Sequence, residues 1–142
     1  RPHFAASRPV LYLKLYALCT ATFFTLDLVW LGFVARGFYR AQMGHLLAEE
    51  TRWGAAIAFY LIYVAAIVVL CVLPAVEKQS LTRAVALGAV FGLAAYAAFD
   101  LTSLALLRGF PAAVVPVDLA WGVVLTASVS AAGAWLGLRL ST

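Results

Sequence analysis

Apolar residues run almost unbroken through four stretches of this chain, and polar residues gather between them. Residues 15–35 hold one charge, Asp27; residues 53–76 hold none; residues 84–107 hold only Asp100; residues 112–138 hold only Asp118. A helix of about 20 apolar residues crosses a bilayer. The pattern therefore predicts four transmembrane helices, near 10–35, 52–76, 82–107 and 116–138. Pro111 and Pro116 interrupt the start of the last run, and Pro suits a first helical turn, which sets the fourth start near Pro116. A cleaved signal peptide fits the first run poorly, because its apolar stretch exceeds the roughly 7–15 residues of such a core.

Composition agrees. Of 142 residues, 65% are hydrophobic and 11% charged, against about 25% charged in soluble domains, and the mean hydropathy is +1.00. The expected fold is an all-α integral membrane protein in a single domain, 1–142. Charge adds an orientation. Arg1, Arg8, Lys14, Lys78, Arg83 and Arg139 fall on the side of the termini, and Arg36, Arg40, Arg52 and Arg108 on the other. That bias places both termini in the cytoplasm of a bacterial inner membrane. The net charge of +4 then serves lipid rather than nucleic acid. His3 and His45 lie outside the spans, no zinc spacing is present, and Cys19 and Cys71 sit apart in apolar runs. These features predict no metal and no cofactor, with both thiols packed in the core.

The chain also repeats itself. Asp27-Leu28 precedes Arg36-Gly37-Phe38, and Asp100-Leu101 precedes Arg108-Gly109-Phe110. Each is followed by an acid, two residues and Trp-Gly, at Glu50 to Gly54 and at Asp118 to Gly122. The shared order predicts a parallel internal duplication of a two-helix unit, 11–76 and 84–138, about an axis along the membrane normal. The first connector, 36–53, is longer than its counterpart 108–121 and reads either as a short surface helix or as an unstructured loop.

Asp27, Asp100, Asp118 and Glu50 all fall at the outer end of their helices, although an ionisable group at a span centre costs about 2.5–3.5 kcal/mol. Tyr96 shares a helix face with Asp100, and that face continues through Gly92 and Gly88. Tyr60 and Tyr63 reach a similar level, and Arg36, Arg52 and Arg108 stand just outside, placed to pair with the acids. Asp27, Asp100, Asp118, Glu50, Tyr96, Tyr60, Tyr63, Arg36 and Arg108 are therefore the candidate ligand-binding residues. Simpler roles compete. Glu50 and Asp118 suit helix N-terminal capping, Asp27 and Asp100 suit interhelical ties, and Trp30, Trp53 and Trp121 suit the interfacial aromatic belt. Gly88-x-x-x-Gly92 and Gly133-x-x-x-Gly137 suit helix packing, within the chain or in a homodimer.

The segments "LDLVWLGFVARGFYRAQMGHLLAEE", "AAYAAFDLTSLALL" and "PVDLAWG" resemble the bacterial membrane proteins grouped as domain of unknown function 2177. The resemblance covers the chain from about Leu13 to the fourth helix. It implies a four-helix membrane protein and no established activity. The chain departs from the family pattern at Ser103, where Asn is usual, which puts a polar role there in doubt. Three functions fit the residues: a site for a lipid headgroup or small polar ligand, catalytic or not; a structural or accessory subunit; and proton- or cation-coupled transport. The last is short of polar groups in the inner half, where Thr20, Thr22, Ser128 and Ser130 are the main relief.

Overall fold

The computed structural model describes residues 2–140, with side chains from residue 8 onward. Arg1 and the His3 side chain lie outside the described residues. The chain forms α1 (Pro2–Val29), a π-helical turn (Trp30–Val34), α2 (Arg36–Met43) and a 3-10 turn (Gly44–Leu46). It continues as α3 (Trp53–Ile67), a second π-helical turn (Val68–Val72), α4 (Leu73–Glu77), α5 (Leu81–Leu106) and α6 (Val114–Leu140). No strand occurs among the described residues. Four helical segments are long and apolar enough to cross a membrane: Arg8–Val34, Trp53–Glu77, Leu81–Leu106 and Val114–Leu140. At 1.5 Å per residue each spans about 40 Å. We call the end carrying α2 and the α5–α6 loop the connector end.

Local chemistry explains the irregularities. Pro74 has no N–H to give the preceding turn and its ring crowds the carbonyl four residues back. The helix widens into the π turn over Val68–Val72 just before it and resumes as α4. Gln79, at φ +51°, reverses the chain, and the Ser80 hydroxyl accepts the Arg83 N–H at 3.1 Å to start α5. In the longer connector, residues Arg36–Met43 are helical rather than unstructured. The His45 ring nitrogen Nε2 lies 2.8 Å from the Gly109 carbonyl, which joins that connector to the α5–α6 loop.

Packing follows an interval of four. On α1 the buried face is Leu11, Leu15, Cys19, Phe23 and Asp27, and on α5 it is Ala84, Gly88, Gly92 and Asp100. Both thiols are buried and free. Outside these faces the surface is apolar: Phe33 is 86% and Leu106 81% exposed, an arrangement suited to lipid rather than water. Lipid tails are as apolar as these side chains, so close van der Waals contact must hold the helices together. Small residues supply it. The broadest contact in the bundle is α5 on α6, and α1 packs on α6 as well. A Cβ added at Gly88 would lie 2.7 Å from the Thr126 carbonyl oxygen, and one at Gly92 would lie 2.8 Å from Thr126 Cβ.

The second small-residue motif is also used inside the chain. Gly133 packs on Cys19 and Val72, and Gly137 on Val76 and Leu15. All four glycines of the two motifs are buried. Both motifs therefore serve contacts between helices of one chain.

The two Trp-Gly copies meet different surroundings. Gly122 lies under the Tyr96 ring, where an added Cβ would sit 2.6 Å from Cδ1, whereas nothing lies within 4 Å of a Cβ at Gly54. Gly122→Ala is therefore expected to lower stability by about 1–3 kcal/mol, the usual cost of overpacking. Gly54→Ala should leave it unchanged or raise it by under about 1 kcal/mol, since Ala is the better helix former. Unfolding of both variants in detergent checks this, and equal losses would contradict the asymmetry.

Candidate functional site

Helix register brings the acids to one place. Asp27 lies seven residues before the end of the first span and Asp100 six before the end of α5, about 9–10 Å along the axis in each case. Asp118 is the fifth residue of α6, about 6 Å in. All three therefore sit at similar depth near the connector end. Asp27 is buried, Asp100 is completely buried and Asp118 is half-buried.

Two tryptophans tie α1 to α6 by a reciprocal exchange. The Trp121 indole N–H donates to Asp27 Oδ1 at 3.0 Å. The Trp30 indole N–H donates to the Tyr39 hydroxyl at 3.3 Å, and that hydroxyl donates to Asp118 Oδ1 at 2.8 Å. The two indoles stack with centroids 4.7 Å apart and planes 8° from parallel. Each tryptophan thus serves, directly or through Tyr39, the carboxylate that precedes the other one. The π turn that begins at Trp30 is a local widening often found at functional sites.

The tyrosines complete the cluster. The Tyr60 hydroxyl faces Asp27. Tyr96 senses both Asp27 and Asp118. Beneath them Phe23, Tyr60 and Tyr63 pack edge to face at 5.4 and 5.9 Å, and Tyr63 stacks on Phe91 at 5.2 Å. The Tyr63 hydroxyl lies 2.8 Å from Thr126 Oγ1. This aromatic layer closes the cluster toward the middle of the bundle. Tyr39 lies outside the spans, and burial, reinforced by Asp118, pushes its phenol well above the usual range. It therefore stays protonated and remains a donor.

Asp100 differs from its neighbours. No indole, phenol, hydroxyl or backbone N–H donates to either of its carboxyl oxygens among the described residues. The acidic group it meets is Asp118, not Asp27.

Of the nine candidate residues, six come together: Asp27, Asp100, Asp118, Tyr60, Tyr63 and Tyr96. Arg36, Glu50 and Arg108 stay exposed, and among the described residues no ion pair links them to the three aspartates. Two simpler roles also fail. No side chain caps α3, whose N-cap is Arg52, so Glu50 has no capping role. Asp118 lies inside α6 and accepts from Tyr39 instead. Of the three tryptophans assigned to an aromatic belt, Trp53 is exposed, but Trp30 and Trp121 belong to the cluster.

Trp30, Tyr39 and Trp121 were therefore missed as site residues. A signal for the two tryptophans was present. Asp27-Leu28-Val29-Trp30 and Asp118-Leu119-Ala120-Trp121 share the pattern Asp-Leu-x-Trp, and three residues of helix carry acid and indole onto neighbouring positions of one face. Tyr39 has no comparable mark. It enters the site only because α2 folds back against the end of α1.

No curated protein and no solved structure matches this chain. The model of one family, described as predicted membrane protein (DUF2177), matches residues 12–135. With four apolar helices in place and the matched segment covering most of their length, the chain belongs to the DUF2177 family of membrane proteins.

Proposed function

We propose that the acid and aromatic cluster is a binding site for a lipid headgroup or small polar molecule entering from the connector side of the membrane. The observation that carries this reading is Asp100, fully buried with no indole, phenol, hydroxyl or backbone N–H donating to either oxygen and only the Asp118 carboxyl beside it. A carboxyl kept only to hold helices together needs partners, because an unpaired buried charge costs several kcal/mol. Asp27 and Asp118 have such partners in Trp121 and Tyr39. Asp100 has beside it only the carboxyl of Asp118, an acid that donates only while the pair holds a proton, so acceptor capacity is left over for a ligand.

Transport is less well supported. Below the aromatic layer the buried polar residues are Thr126 and Ser130, and beyond Ser130 the buried core is Leu15, Val72, Ala75, Val76 and Ala134. A dry apolar half favours holding a molecule at one end over passing it through.

Three outcomes follow. Asp100→Asn should insert, fold and melt in detergent within a few degrees of the parent, since the amide keeps the side chain's shape and can donate to the Asp118 carboxyl. Native mass spectrometry of the purified chain should show a small molecule or lipid bound to the parent and lost from the variant. A strongly lowered melting temperature would assign Asp100 to structure instead.

Asp27→Asn, by contrast, weakens a charge-assisted bond from Trp121 and should cost about 1.5–3 kcal/mol in the same unfolding assay. Near-identical stability losses for Asp27→Asn and Asp100→Asn would contradict the division of labour.

The third outcome concerns pH. The Tyr39 phenol is raised in the folded chain, whereas an unfolded tyrosine ionises near pH 10. Its contribution to stability is complete below about pH 10 and is lost as pH rises through the folded value. Melting temperature should therefore fall on the alkaline side, and Tyr39→Phe should make that fall shallower.

A further inference from the structure

We infer that the occupant of this cluster carries an ammonium group, from an aminated lipid headgroup or from a free amine. The inference rests on the ligand-site reading above and adds the charge and chemical class of the ligand.

Charge is the first ground. Asp27, Asp100 and Asp118 share one end of the bundle, and among the described residues no Lys or Arg pairs with any of them. A phosphate or carboxylate beside Asp100 would meet the Asp118 carboxyl as well and no counter-charge. A cation would offset charge on that pair. Donor supply is the second ground. Asp100 presents two buried acceptor oxygens whose nearest polar neighbour is another acid, the Asp118 carboxyl. An ammonium nitrogen brings up to three N–H donors and forms short, charge-assisted bonds to carboxylates.

The third ground is the surroundings. Asp27 and Asp118 accept from the neutral indole of Trp121 and the neutral phenol of Tyr39, donors that bring no counter-charge to a carboxylate. A bare metal ion is less suited, because no three His, Cys, Asp or Glu groups converge to hold one among the described residues. Finally, Arg36, Arg40, Arg52 and Arg108 stay exposed at this same end. A molecule with an ammonium at one end and a phosphate at the other could place the first inside and leave the second among these arginines.

The test uses the full chain in nanodiscs of phosphatidylglycerol, carrying Trp53→Phe and Trp135→Phe so that the remaining indole fluorescence comes from Trp30 and Trp121. Ethanolamine, ethylene glycol and ethyl phosphate are titrated in turn, and a parallel set of discs contains phosphatidylethanolamine. A saturable fluorescence change with ethanolamine, with phosphatidylethanolamine or with both is expected, and none with the neutral or anionic probe. Response to the free amine alone identifies a solute source, and response to the lipid alone identifies a headgroup. Asp100→Asn should weaken binding at least about tenfold, the loss of one charge-assisted bond. Asp118→Asn provides the same reading if the first variant misfolds, with circular dichroism as the control for folding. A response to ethyl phosphate or ethylene glycol that depends on Asp100 would overturn the ammonium class while keeping a ligand site. No response to any probe would remove both.

Discussion

A carboxylate inside an apolar bundle is tolerated only where donors surround it or a counter-charge reaches it. This chain brings three carboxyls to one end of four apolar helices and keeps its arginines outside. Donors must therefore come from neutral side chains. Trp121 serves Asp27 and Tyr39 serves Asp118, with Trp30 behind Tyr39 and the two indoles stacked between. The same bonds that satisfy the acids hold α1, α2 and α6 together at the connector end. Neutral indole and phenol groups suit this place, since they bring polar hydrogens without a charge that must itself be desolvated. Asp100 lies outside the exchange and meets Asp118 instead.

The exchange depends on how closely α5 approaches α6. Gly88 and Gly92 let the two backbones meet, and Gly122 leaves room for the Tyr96 ring. That contact sets the rotation of α5 and turns Asp100 toward Asp118 rather than toward lipid. Further from the connector end the same two helices enclose only Thr126 and Ser130 as polar groups, and the core then becomes dry. The bundle thus has a polar end, an aromatic floor of Phe23, Tyr60, Tyr63 and Phe91, and an apolar remainder.

The repeated motifs are put to different uses. Asp27 and Asp100 are both buried. The acid-x-x-Trp-Gly copies diverge: Glu50, Trp53 and Gly54 face the surroundings, while Asp118, Trp121 and Gly122 form part of the site. The longer first connector accounts for the difference. It spends its residues on α2, which delivers Tyr39 to the second copy.

Four apolar helices and the common level of three aspartates at one end of the bundle were legible in the sequence. These are one-dimensional properties: run length decides what can cross a membrane, and position along a run decides depth. The small-residue face of α5 was legible too, because an interval of four maps directly onto a helix surface. Rotation and partnership were not. Helices that are apolar on every side carry little sign of which face turns inward, so nothing in the pattern said that Arg36 and Arg108 would stay outside. Nor did it say that Asp118 would accept from Tyr39 instead of capping, or that Asp100 would meet Asp118. Trp30 and Trp121 show the boundary between the two kinds of information. Their spacing from an aspartate is written in the chain, but stacking across α1 and α6 exists only once close helix packing has brought the two ends together.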